Sequence, residues 1–200
     1  MRVKPLPVEQ RVYQLKVTLR HLRPAIWRRL QVRGDITLGE LNRYLQVAMG
    51  WWNAHLHQFQ IGRTEYRQPD PEEDMFWGNR AQDENAAVLG EVVPAAGARF
   101  RYVYDFGDHW EHEIVVEQIL PLAGDLAYPV CLAGQRACPP EDCGGPGGYR
   151  ELLQALGDPD HPEHDSWREW VPEGFDAEAF DLEGLNHRLR SPDTYTGWED

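Results

Sequence analysis

Lysine is nearly missing from this chain: of its 20 lysines and arginines, only Lys4 and Lys16 are lysines. Serine is as sparse, at Ser166 and Ser191 alone. With no Gly-rich phosphate loop, strand lysine or His-Arg-Asp triplet, a protein kinase is excluded, although Asp105-Phe106-Gly107 matches the triplet such enzymes use to hold magnesium. Three cysteines, an odd number, argue against a disulfide framework and fit a reducing compartment. No apolar run approaches the roughly 18 residues a membrane span requires, so no membrane partner is expected. Residues 1–10 are partly basic but lack the apolar stretch of a signal peptide, and the expected location is cytoplasmic. No internal repeat is present.

Aromatic side chains, by contrast, are abundant. Eight Trp and eight Tyr within an apolar content of 42% suffice for a core in one domain of 200 residues. The net charge of −13 is unevenly spread: residues 1–67 hold twelve Lys/Arg and four Asp/Glu, the remainder eight and twenty-nine. A basic front meets either an anion such as nucleic acid or the acidic back half within one fold. Repulsion between phosphate and an acidic whole favours internal pairing.

Tyr13, Leu15, Val17 and Leu19 alternate with Gln14, Lys16, Thr18 and Arg20, which predicts a half-buried strand. Arg23-Pro24 predicts a turn, and residues 26–32 a second strand with a bulge at Arg28-Arg29. Thr37 and Glu40 form a capping box for a helix that buries Leu38, Leu41, Leu45, Ala48 and Met49 and stops at Gly50. Residues 55–62 predict a third strand, with His57, Phe59 and Ile61 on one side. Residues 67–98 are mostly polar and are expected to be irregular. Residues 99–106 and 110–119 give the strongest hairpin signal, turning at Gly107-Asp108. Tyr149, Leu152, Leu153 and Leu156 line a short helix ending at Gly157; Trp167 and Trp170 share a helical turn; Asp181 caps a last helix bearing Leu182, Leu185 and Leu189. Strands first and helices last predict an α+β domain.

The segment from Cys138 to Tyr149 holds the chemistry. Seven of its twelve residues are Pro or Gly, so neither helix nor strand is expected to run through it. It reads as a stiff loop carrying Cys138, Cys143, Glu141 and Asp142, with Cys131 just upstream. Zinc prefers four thiolate or imidazole ligands, and Cys131, Cys138 and Cys143 with His112 (His109 as the alternative) make one such set. The other reading is three small buried thiols. A hydrolytic site is a further option: Asp105, Asp108, His112 and Glu141 offer acid, base and metal-ligand groups, with Asp105 facing His112 across the hairpin. The bland counterpart is an Asp capping the turn and a His packed beside Trp110. His161, His164 and the acids of residues 158–165 read as a solvated turn. Trp27, Trp51 and Trp52 beside Arg28, Arg29 and Arg43 form either a surface for single-stranded nucleic acid or core tryptophans covered by arginine stems.

These strings are distinctive together: Pro24-Ala-Ile-Trp-Arg-Arg, Met49-Gly-Trp, His55-Leu-His-Gln-Phe, Tyr104-Asp-Phe-Gly-Asp-His-Trp-Glu-His112, Cys138-Pro-Pro-Glu-Asp-Cys-Gly-Gly and His161-Pro-Glu-His. From about residue 12 to residue 190 the chain resembles the plasmid pRiA4b ORF-3-like family of bacterial and archaeal proteins, found on plasmids, chromosomes and transposon-like elements. The resemblance implies an α+β fold on an antiparallel sheet and no established activity. Some members carry a resolvase-like label. Against it, this chain has no early serine nucleophile, and Tyr195 follows His187-Arg188-Leu189-Arg190 too closely to ride a separate helix.

The expectation is thus one α+β domain over residues 1–200: an antiparallel or mixed sheet with helices packed on one face and a C-terminal helical segment. Its parts are a sheet-rich stretch (12–120), the Cys loop with C-terminal helices (121–190) and a tail (191–200). The expected function is a cytoplasmic binding or adaptor domain, linked to mobile elements, with zinc as cofactor and protein or nucleic acid as partner. A metal-dependent hydrolase or nuclease is the alternative.

Overall fold

The computed structural model describes residues 6–69, 81–124 and 126–192. Its frame is one eight-stranded sheet. In chain order the strands are β1 (Arg11–Leu19), β2 (Ile26–Arg33), β3 (His57–Ile61), β4 (Thr64–Arg67), β5 (Gln82–Asp83), β6 (Arg99–Tyr104), β7 (Trp110–Pro121) and β8 (Val130–Gln135). They lie in the order β5-β4-β3-β6-β7-β1-β2-β8. Every neighbour pair is antiparallel except β4–β5, so the sheet is mixed. The helices are α1 (Leu38–Met49), α2 (Leu89–Val92), α3 (Gly145–Gly157), α4 (His164–Trp170) and α5 (Leu182–Leu189).

Alternation decides which face is covered. Tyr13, Leu15, Val17 and Leu19 of β1 are fully buried, as are Ile26, Leu30 and Val32 of β2 and Ile114 and Val116 of β7. Between them Gln14, Lys16 and Arg29 point to the open face, where Arg29 Nε and Nη2 donate to Glu117 at 2.7 and 2.9 Å and Gln14 Nε2 donates to the same carboxylate at 2.9 Å. That pair joins the basic front to the acidic back, as does Arg20–Glu111 at 2.6 Å, so internal pairing accounts for part of the charge asymmetry. Helix α1 crosses the covered face. Thr37 and Glu40 close the capping box, and Gly50 ends the helix in the left-handed region (φ 77°). Leu38, Leu41, Leu45, Ala48 and Met49 enter the core. So do Asn42 and Gln46, through a contact invisible to periodicity: Gln46 Nε2 donates to the Tyr102 hydroxyl (2.8 Å), which donates to Asn42 Oδ1 (2.5 Å).

Five local expectations need correction. The hairpin turns over five residues, not two: Tyr104 pairs with Trp110, and Asp105 and His109 adopt φ of 55° and 54°. Asp105 therefore lies beyond the ladder, and His112 faces Tyr102 instead. The bulge beside β2 falls between Arg29 and Leu30 on its β8 side. The Cys loop is helical in its last part, because α3 starts at Gly145 and Pro146 occupies the first turn, where its missing N–H costs nothing. Residues 67–98 are less irregular than their polarity suggests: β5, α2 and Glu84, whose buried carboxylate pairs with His57 of β3 (2.9 Å), lie there, while residues 70–80 fall outside the described residues. Finally, β8 adds an edge strand within the stretch expected to be loop and helix.

Candidate functional site

Three segments meet at the tip of the β6–β7 hairpin: residues 50–56 after α1, the tip 105–109, and 139–145. Trp51 joins them. Its ring is buried, stacked on Tyr104 (centroids 5.1 Å apart, planes 21° apart), with Trp110 5.8 Å away. Its Nε1 donates to the Pro139 carbonyl at 2.9 Å, which anchors the Pro-rich loop. From the other end Gly144 N donates to Asp108 Oδ2 at 3.1 Å. Gly145 (φ 66°) lies against the Asp108 carbonyl so closely that any Cβ would collide with it. The loop is thus fastened to the hairpin tip at both ends.

Four acceptor-rich side chains converge there. Glu141 is buried; its Oε1 accepts from Trp52 N (2.7 Å) and from the Tyr104 hydroxyl (2.9 Å). Burial pushes this carboxyl above its ordinary range, against the hydrogen bonds from Trp52 and Tyr104. Ala54 N donates to the Tyr104 oxygen at 3.0 Å, which ties down the 52–55 turn. Asp105 is buried and accepts from Gly107 N at 2.8 Å. His55 stands edge-on to Tyr104, with Nε2 3.0 Å from Asp142 Oδ1, 3.8 Å from Asp105 Oδ2 and 3.8 Å from Glu141 Oε2. That nitrogen is sealed from solvent, yet no carboxylate meets it with hydrogen-bond geometry. Among the described residues, His55, Asp105 and Asp142 are the one set of three or more His, Cys, Asp or Glu whose ligand atoms all lie within 4.8 Å of one another. Backbone strain gathers at the same place. Among the described residues six non-glycines have positive φ, and Asn53, Asp105, His109 and Asp142 of these are here. Trp52, Leu56 and Phe106 are exposed on the surrounding segments, and Leu56 and Phe106 line a slot of about 70 Å³ against His55.

The expected residues distribute unevenly. Asp105 and Glu141 belong to this nook. Asp108 is close by, as the anchor of Gly144. His112 belongs to neither expected site: it is sealed beneath Trp51 and Tyr102 (5.4 and 5.3 Å), and burial lowers its pKa to about 4. The three thiols are free and buried but do not gather with it. Cys131 on β8 donates to Ala133 O (3.4 Å), and Cys138 to Met49 Sδ (3.2 Å). Cys143 sits under the loop, where burial, then Asp108, pushes its thiol up to about 12. In the 158–165 segment Asp158 accepts from Asp160 N and His161 from Glu163 N, as in a solvated turn. Trp27 lies on the open face under Lys16 and Arg29, Trp51 is core and Trp52 exposed. His55 and Asp142 belong to neither expected site: in the sequence His55 reads as a core or rim residue of the third strand and Asp142 as one acid of the Cys loop. The only signal in the sequence was their adjacency to His57 and Glu141.

A family model described as plasmid pRiA4b ORF-3-like protein matches residues 11–184. The uncharacterized protein y4hQ of Sinorhizobium fredii (strain NBRC 101917 / NGR234) is 41% identical over 177 residues, covering 88% of this chain and 89% of that protein. The crystal structure of MM3350, a protein of unknown function from Methanosarcina mazei Go1, superposes with a TM-score of 0.78 at 34% identity, covering 88% of this chain and 97% of that one. No helix among the described residues is long and apolar enough to cross a membrane.

Proposed function

This chain belongs to the plasmid pRiA4b ORF-3-like family, and we propose that it is a binding domain built around a divalent cation held by His55, Asp105 and Asp142. One observation carries the reading: His55 Nε2 is shut off from water, faces three carboxylates at 3.0–3.8 Å and makes no hydrogen bond. A buried imidazole nitrogen left this way is costly unless something sits between it and the oxygens. One imidazole with carboxylate oxygens suits zinc or manganese. Zinc thus stays in the reading, moved from the thiol set to the nook. The exposed Trp52, Leu56 and Phe106 supply apolar contact for a protein partner, and the acidity of the nook disfavours nucleic acid. The cytoplasmic setting and the link to mobile elements rest on sequence and family alone.

Calorimetric titration with Mn²⁺ and Zn²⁺ tests this. The protein should bind one ion with a dissociation constant near or below about 10 µM. His55→Ala and Asp142→Asn should each weaken binding by about tenfold or more, with Asp176→Asn unchanged. Equal affinity across these variants, or no ion bound, overturns the reading.

A metal-dependent hydrolase is the second reading, favoured by Glu141. Its carboxyl is 3.8 Å from His55 Nε2 but is already held by Trp52 N and Tyr104, which suits a proton-exchanging group more than a ligand. Manganese-dependent cleavage of bis(p-nitrophenyl) phosphate, lost in Glu141→Gln with ion affinity retained, would favour it over pure binding.

A further inference from the structure

On the other side of the Pro-rich loop, a cavity of about 320 Å³ lies between the end of α1, residues 137–138, α5 and the strap of residues 172–181. That size falls in the range of small-molecule sites. Of the residues that line it, Gly50 alone also belongs to the segments that form the nook. Its one deeply buried charge is Arg28, 4% exposed. The guanidinium donates to Ala48 O (3.0 Å), Trp27 O (2.9 Å), Gln135 O (3.0 Å) and Cys138 Sγ (3.1 Å), and Phe180 covers its face at 4.5 Å. Four of the five N–H donors are thereby used, leaving one on Nη2. Every acceptor is neutral: three are carbonyls, and burial raises the Cys138 thiol, keeping it protonated. Among the described residues no carboxylate reaches Arg28 within 4.0 Å. A buried cation without an anion is a debt that proteins ordinarily settle with a counter-charge.

We propose that this cavity is a second ligand site, taking a small organic monoanion whose carboxylate meets Arg28 and whose apolar body lies against Met49, Phe175, Phe180 and Leu185. The chemistry at the mouth narrows the class. Glu173, Asp176 and Asp181 are exposed there, and with a net charge of −13 they repel phosphates and nucleic acid, which carry several charges. A single carboxylate on an apolar tail passes them and delivers the missing charge.

Octanoate is the probe. Calorimetric titration should give saturable 1:1 binding with a dissociation constant at or below about 1 mM, and 1-octanol and inorganic phosphate should bind about tenfold more weakly or not at all. Arg28→Met should lose octanoate affinity by about tenfold or more. Because Arg28 also ties β2 to α1, the unaltered protein supplies a second readout: octanoate should slow alkylation of Cys138 by N-ethylmaleimide about threefold or more, read by peptide mass spectrometry, without slowing Cys131 or Cys143. No saturation by about 10 mM octanoate, equal binding of 1-octanol, or equal protection of all three thiols overturns the proposal.

Discussion

His112 is neutral inside the fold at ordinary pH, because it is fully buried and the Tyr102 carbonyl, 3.4 Å from Nδ1, and a backbone contact at Trp110 only partly offset the loss of solvent. Burial lowers its pKa to about 4, whereas the unfolded chain titrates near 6.5. Between these values the unfolded state binds more protons, so stability falls as pH drops from about 6.5 to about 4. The loss should reach on the order of 3 kcal/mol, seen as a falling melting temperature over that window, and His112→Leu should flatten it. Glu111 acts lower down. Burial alone would raise its carboxyl, but hydrogen bonds from His21, Arg20 and Arg101 prevail and hold it at about 2, so its contribution is present above about 4.5 and lost as pH falls toward 2. Tyr104 is the residue on which the nook's shape depends, since its hydroxyl donates to Glu141 and accepts from Ala54 N. Tyr104→Phe leaves both without that partner and should cost about 1–3 kcal/mol by chemical denaturation.

At the scale of elements, the contact between the Pro-rich loop and the hairpin tip decides whether a site exists. The hairpin tip is irregular where they touch, and the loop becomes regular only at Gly145, the first residue of α3. The loop is held by Trp51 Nε1 at Pro139, Trp52 N at Glu141 and Asp108 at Gly144. Gly145→Ala adds a Cβ against the Asp108 carbonyl at a positive φ. It should destabilise the fold by about 1–3 kcal/mol and, by lifting Asp142 from His55, weaken ion binding in the same calorimetric assay. The capping box of α1 is a milder joint. Thr37→Ala removes an acceptor for Glu40 N and should lower stability by about 1 kcal/mol without touching the ion.

For the whole molecule, β1 lies between β2, its neighbour in sequence, and β7, about a hundred residues away. Beyond residue 124 the chain returns with β8 along the β2 edge, and α5 packs on β8 and α1. Asn186 clasps that edge strand by accepting from Cys131 N (2.7 Å) and donating to Cys131 O (2.9 Å). The back third therefore completes the core begun by the front. A chain ending at residue 124 should lose its cooperative thermal transition and bind a hydrophobic dye, although it keeps seven of the eight strands.

Periodicity made the paired strands, the capped α1 and the Asp181-capped last helix legible, because each rests on neighbours within one element. The distinctive strings sufficed for the family, and the loop's stiffness and acids drew attention to the corner where Glu141 and Asp142 lie. The partners within that corner were not legible. His55 reaches Asp105 and Asp142 only because the hairpin tip is five residues wide and Gly145 allows the loop to lie against it. His112 is enclosed by Trp51 and Tyr102, and the three thiols are buried without gathering beside it. Local pattern records how a segment folds; which side chains share a site depends on the distances that folding closes between segments.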